Sequence, residues 1–149
     1  MATAAPARAP AHFWIVALVS LLWTGFGAFD YVMTQTNNDW YLAQLWHFSD
    51  ADRAFFLSLP GWAVAAWAIG VWGALLGSLL LLIRSGNAVW AFGLSLAGLL
   101  VQTIYQFGMA SPPADLATSP LMALTIAVWV IAIALFVYAW RMRSSGVLR

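Results

Sequence analysis

The sequence predicts an all-α membrane protein of four transmembrane helices with both termini cytoplasmic, and three observations carry that prediction. The 149-residue chain is 64% hydrophobic and only 7% charged, with a mean hydropathy of +0.86. A soluble domain carries roughly 25% charged residues, so this chain has too few to cover a water-facing surface. Four apolar runs each reach the about 20 residues that a ~30 Å hydrocarbon core demands. Finally, the arginines fall on one side of the alternation that those runs impose.

The runs are Phe13–Val32, Trp62–Ile83, Val89–Met109 and Leu121–Trp140. Pro10 precedes the first, Pro60-Gly61 opens the second, and Ser85-Gly86-Asn87 parts the second from the third. Pro112, Pro113 and Pro120 frame the last connection, and no proline interrupts a run. Backbone groups in hydrocarbon must pair within their own segment, so each run is expected to be a helix. The Ala- and Pro-rich residues 1–11 are expected to form a disordered tail, 12–143 the transmembrane domain, and 144–149 a C-terminal tail. The first run is longer than the 7–15-residue core of a cleaved signal peptide and carries one Arg ahead of it, which favours an uncleaved helix.

Arg8, Arg84, Arg141, Arg143 and Arg149 share one side of a four-span topology, five of the six arginines in the chain. The other side holds Asp39, Asp50, Asp52 and Asp115 with Arg53 alone. The positive-inside rule then puts both termini in the cytoplasm. Every basic residue is Arg and every acidic one Asp. Both have GC-rich codons, and this bias together with the topology points to the inner membrane of a bacterium.

The first external connection, residues 34–59, is the longest and carries structure of its own. Its aromatic stretch Asp39-Trp40-Tyr41-Leu42-Ala43-Gln44-Leu45-Trp46-His47-Phe48 precedes Ser49-Asp50-Ala51-Asp52, which reads as a helix start. Ser49 is the cap, with a carboxylate three residues on at the positive end of the helix dipole. Both pieces are too short to span and are expected to lie as interfacial helices in the membrane surface. Their Trp and Phe residues suit the aromatic belt.

Small residues mark the packing faces. The second span carries Ala66, Gly70, Gly73, Ala74, Gly77 and Ser78, with a GxxxG at Gly73 and Gly77, and the third has Gly93 and Ala97. Such stripes let helix backbones approach closely. The stripe serves either a neighbouring helix of the same chain or a homodimer. The first and third spans can also be overlaid so that Trp14 meets Trp90 and residues 29–33 meet 105–109, the pattern of a duplicated hairpin.

Polar residues inside spans mark candidate sites. Asp30 is the single acid within a span, and Trp23, Phe26, Gly27, Asp30 and Thr34 recur at three- and four-residue steps on one helix face. Gln102, Tyr105 and Gln106 repeat that spacing on the third span at similar depth. Trp62 or Trp67, with Thr125, would complete a ring. Two readings stand. One is an outward-opening polar pocket of carboxylate, amide and tryptophan suited to a sugar or similar polar solute. In the other, Asp30 reaches interfacial water while Gln102 and Gln106 hold helices together.

The chain contains no cysteine and no phosphate-loop, zinc-protease or G-x-S-x-G pattern. His12 and His47 fall on opposite sides of the membrane. No enzyme, cofactor or metal is expected, and a net charge of +1 gives no nucleic-acid partner.

The stretch Phe13-Trp14, Leu22-Trp23-Thr24-Gly25-Phe26-Gly27-Ala28-Phe29-Asp30-Tyr31-Val32-Met33-Thr34-Gln35-Thr36, with Gly70-Val71-Trp72-Gly73-Ala74-Leu75-Leu76-Gly77-Ser78, resembles small four-helix membrane proteins of alphaproteobacteria that go under the name "sugar transporter". The resemblance covers most of the chain and implies a transporter, but carries no residue roles with it. A transporter of four helices is expected to work as a dimer. The alternative is a non-transporting subunit that stabilises a larger membrane complex.

Overall fold

The computed structural model describes residues 7–149, and among them the fold is entirely helical. Four helices are long and apolar enough to cross a membrane. They are α1 (Ala11–Gln35), α3 (Gly61–Leu82), α4 (Ala88–Ile104, continued by a π-helical turn Tyr105–Met109) and α5 (Ser119–Ser144). The short α2 (Asp50–Leu57) and a π-helical segment Trp40–Leu45 lie between α1 and α3. α1 and α5 exceed the predicted spans by two to four residues at each of their ends. Those extra turns carry polar residues such as Thr34, Gln35, Arg141 and Arg143, which a hydropathy criterion excludes although the backbone remains helical.

Helix ends explain the turns. α1, α3 and α5 each stop on a Schellman motif. Asn37 (φ 49°), Arg84 (φ 58°) and Gly146 (φ 75°) occupy the left-handed position. The following amides of Asn38, Ser85 and Val147 reach back to the carbonyls of Met33, Leu80 and Met142. α2 starts on a full capping box. The Asp52 amide donates to Ser49 Oγ, and the Ser49 amide donates to Asp52 Oδ2 at 2.9 Å.

The tightest seam is α3 on α4. A Cβ added at Gly98 would fall 2.6 Å from the Ala66 carbonyl and the Gly70 amide, and one at Gly70 would fall 3.3 Å from the Leu99 amide. Gly73 meets the Ala91 carbonyl and Ser95, and a Cβ added at Gly77 would fall 2.7 Å from the Phe92 ring. The small-residue stripe is therefore spent inside the chain. On α4 the complementary face is Ala91, Ser95 and Gly98, not the expected Gly93–Ala97 pair: Gly93 turns toward Phe136 of α5 and Ala97 is exposed. Ser95 Oγ donates to the Gly70 carbonyl at 2.5 Å. α1 joins α3 through the Thr24–Ser78 hydroxyl pair, 3.0 Å apart.

α3 packs most extensively on α4, then α1 on α3 and α5 on α4, whereas α1 and α5 approach over much less of their length. Their contact lies at the end holding both termini. There Phe13, Ala17, Leu81, Val89, Phe92, Leu135 and Ala139 form the buried core, and Phe13 stacks on Tyr138.

Two tail assignments need correction. Val147 and Leu148 are 5% and 4% exposed and belong to that core, and the Arg149 backbone pairs with Arg84 and Gly86. The chain turns back there because the Schellman motif at Gly146 directs Val147 inward. Residues 1–6 of the expected N-terminal tail lie outside the described residues. Ala9 packs on the core, and the Ala7 carbonyl accepts from Arg84 at 2.7 Å. Exposed Trp14, Trp90 and Trp140 ring this end and Trp40 and Trp62 the other, as two aromatic belts would.

Candidate functional site

The separation of α1 from α5 leaves a cavity of about 190 Å³ inside the bundle, lined by all four long helices. It is reached by alternation of helix direction: the C-terminal parts of α1 and α4 and the N-terminal parts of α3 and α5 gather at one end. Asp30 on α1, Trp67 on α3 and Gln102 on α4 stand there, with Trp46 from the connection between α1 and α3. Deeper, the lining turns apolar through Val71, Phe92, Val128, Ile131 and Leu135.

Of the residues expected at a pocket, Asp30, Gln102 and Trp23 line this cavity, joined by Phe26, Gly27 and Trp67. Tyr105, Gln106 and Thr34 do not. Tyr105 packs edge-on to Trp62 at 5.1 Å, Gln106 lies one turn beyond Gln102 in the π-helical segment, and Thr34 is buried outside the cavity. The reason is register. The widened turn at Tyr105–Met109 breaks the 3.6-residue period that put Gln106 on the face of Gln102. Thr125 is satisfied within α5 by the Leu121 carbonyl.

Asp30 is held from outside its own helix. The Tyr41 hydroxyl donates to Asp30 Oδ1 at 2.7 Å. Tyr41 is fully buried. Burial raises its pKa first, and the bond to Asp30 raises it further, so the phenol remains a donor. Its segment is oriented by Asn38, whose Oδ1 accepts from the Tyr41 amide at 3.0 Å.

An unbroken run of aromatic contacts links α1 to α3 over the cavity's polar end: Phe29–Tyr41, Tyr41–Trp46, Trp46–Phe48, Phe48–Phe56 and Phe56–Trp67. Trp67 closes the run on Tyr31 at 5.0 Å. Tyr41 and Trp46 were missed as site residues because an aromatic external segment reads as membrane-surface anchoring, with no periodicity to aim its side chains.

Two polar atoms on residues that line the cavity are unsatisfied. Gln102 Oε1 and Trp46 Nε1 are buried with no hydrogen-bond partner among the described residues. Such groups are rare in folded proteins, since each costs about 1–3 kcal/mol. No group of three His, Cys, Asp or Glu residues suited to a metal ion occurs among the described residues.

No family model matches the chain, and no curated protein or solved structure is significantly similar to it. The class is set by the helices themselves: an all-helical chain with four helices of membrane-spanning length and composition.

Proposed function

We propose that this chain is a small multi-pass protein of a bacterial inner membrane, transporter-like, which takes a small solute into the cavity between α1 and α5. The observation supporting it is a mostly apolar cavity that the Asp30 carboxyl and Gln102 both line, with Gln102 Oε1 left without a partner. A purely structural pair of polar residues would satisfy each other. Here Asp30 accepts from Tyr41 and not from the Gln102 amide, and Gln102 Oε1 has no partner. Both termini are cytoplasmic in this reading, so the cavity's polar end faces the outer leaflet.

Solute uptake into proteoliposomes tests it, with Asp30→Asn as the comparison. Uptake no faster than into empty vesicles, across sugars, alcohols and amines, would remove the transporter reading. Orientation has a clean test because the chain lacks cysteine. Ser111→Cys should react with an impermeant maleimide added outside spheroplasts, and Ser145→Cys only after lysis.

The poorly packed α1–α5 side also supports a second reading. As an accessory subunit, the protein would receive an apolar helix of a larger complex there. A stoichiometric partner retained on purification from native membranes would favour that role.

A further inference from the structure

The cavity's charge is one-sided. Its polar end has the Asp30 carboxyl, an acceptor, and the Gln102 amide, which carries an oxygen acceptor and an NH2 donor, and the indoles of Trp23, Trp46 and Trp67 line the wall around them. Indole faces are electron-rich and attract cations, and such contacts strengthen when water is excluded. Trp46 Nε1 is a further donor, and its ring is held against Tyr41 at a centroid distance of 6.3 Å. The remainder of the lining is mostly apolar, and its two hydroxyls, Thr24 and Ser95, already donate within the bundle.

That distribution weighs against a polyol. Each sugar hydroxyl pushed against Phe92, Val128 or Ile131 would lose water without gaining a partner, which disfavours binding. Size sets a second limit. An apolar cavity of about 150 Å³ accommodates benzene, so about 190 Å³ suits one ring with a short arm.

We propose that the cavity selects a small lipophilic organic cation, an ammonium group at Asp30 and Gln102 with its apolar body lying between α1 and α5 against Val128 and Ile131. This rests on the reading of the cavity as a solute site. It replaces the sugar with a solute whose positive charge matches the Asp30 carboxyl and the indole faces and whose body matches the floor.

The test is binding to the purified protein in detergent, followed by tryptophan fluorescence and calorimetry. The probes are benzylammonium, its neutral counterpart benzyl alcohol, and glucose. Benzylammonium should bind at least about tenfold tighter than benzyl alcohol, the scale of 1.4 kcal/mol in binding, and glucose should not bind measurably. Asp30→Asn keeps an acceptor for Tyr41 and should bring the amine down to the level of the alcohol. Gln102→Leu, which leaves Asp30 in place, should lower amine affinity alone. Val128→Trp, which fills the floor, should abolish binding of both.

Equal binding of amine and alcohol, or tighter binding of glucose, would overturn the cation while leaving the solute cavity. Absence of all binding by a protein that is helical and monodisperse would overturn the cavity reading itself.

Discussion

Tyr41 reaches back eleven residues along the chain to donate to Asp30, 2.7 Å from its carboxyl oxygen. The bond ties the π-helical segment Trp40–Leu45 to the one acid on a long helix, so the cavity end and its aromatic cover form a unit. Tyr41→Phe keeps the ring packed on Phe29 and removes only the hydroxyl. We expect it to destabilise the protein by about 1.5–3 kcal/mol, the range for a hydrogen bond to a charged group, read from denaturant melts in detergent.

The same pair predicts a pH dependence. Tyr41 has its pKa raised above the ordinary tyrosine value of about 10. The folded state therefore keeps a proton that the unfolded state loses above that pH, and the linkage slope is negative there. Stability from this group is complete below about pH 10 and falls as pH rises toward the folded-state value. A tyrosinate absorbance titration should show a late step in the wild type that disappears in Tyr41→Phe.

Glycines on and off the α3–α4 seam should separate sharply. Gly98→Ala forces a methyl to 2.6 Å from the Ala66 carbonyl and Gly70 amide. It should cost about 1–3 kcal/mol, as overpacking does. Gly25→Ala meets nothing within 4 Å and should be neutral or stabilising by up to about 1 kcal/mol through helix propensity. Thermal unfolding of the two variants in the same detergent decides it.

Arg84 has two roles that substitution can split. Its left-handed φ of 58° favours glycine, while its guanidinium holds the carbonyls of Val147 and Ala7. Arg84→Ala loses the hydrogen bonds and keeps the strained backbone, whereas Arg84→Gly loses the bonds but relieves the strain. Alanine should be the less stable by about 1–2 kcal/mol, measured as a difference in unfolding midpoints.

The capping box of α2 gives a local readout. Ser49→Ala removes an acceptor for the Asp52 amide and should cost about 1 kcal/mol. Faster amide exchange confined to residues 50–57 would report it, with the long helices unchanged.

Much of this fold was legible because hydrocarbon leaves the chain few choices: an uninterrupted apolar run of spanning length must pair its own backbone, and Pro60, Pro112 and Pro120 mark where it cannot. The Ser49–Asp52 cap was legible for the same local reason. The face of a lipid-facing helix was harder to assign. With apolar residues all round α4, nothing in the pattern separates the Ala91–Ser95–Gly98 face from Gly93–Ala97. Asp30, Gln102 and Trp23 could be placed from spacing on regular helices. Gln106 could not, since a π-helical turn shifts it, and Tyr41 and Trp46 reach the site through a fold of the α1–α3 connection that no periodicity encodes.

The contrast between the two seams has a mechanical consequence. Acyl chains solvate an apolar helix face about as well as another helix does, so parting α1 from α5 beside Trp23 and Val128 trades one apolar neighbour for another. Parting α3 from α4 would instead pull apart backbones already in contact at Gly98 and Gly70 and strand the Ser95 hydroxyl. The bundle is built like a pair of jaws, stiff along the glycine joint and compliant at the free edge.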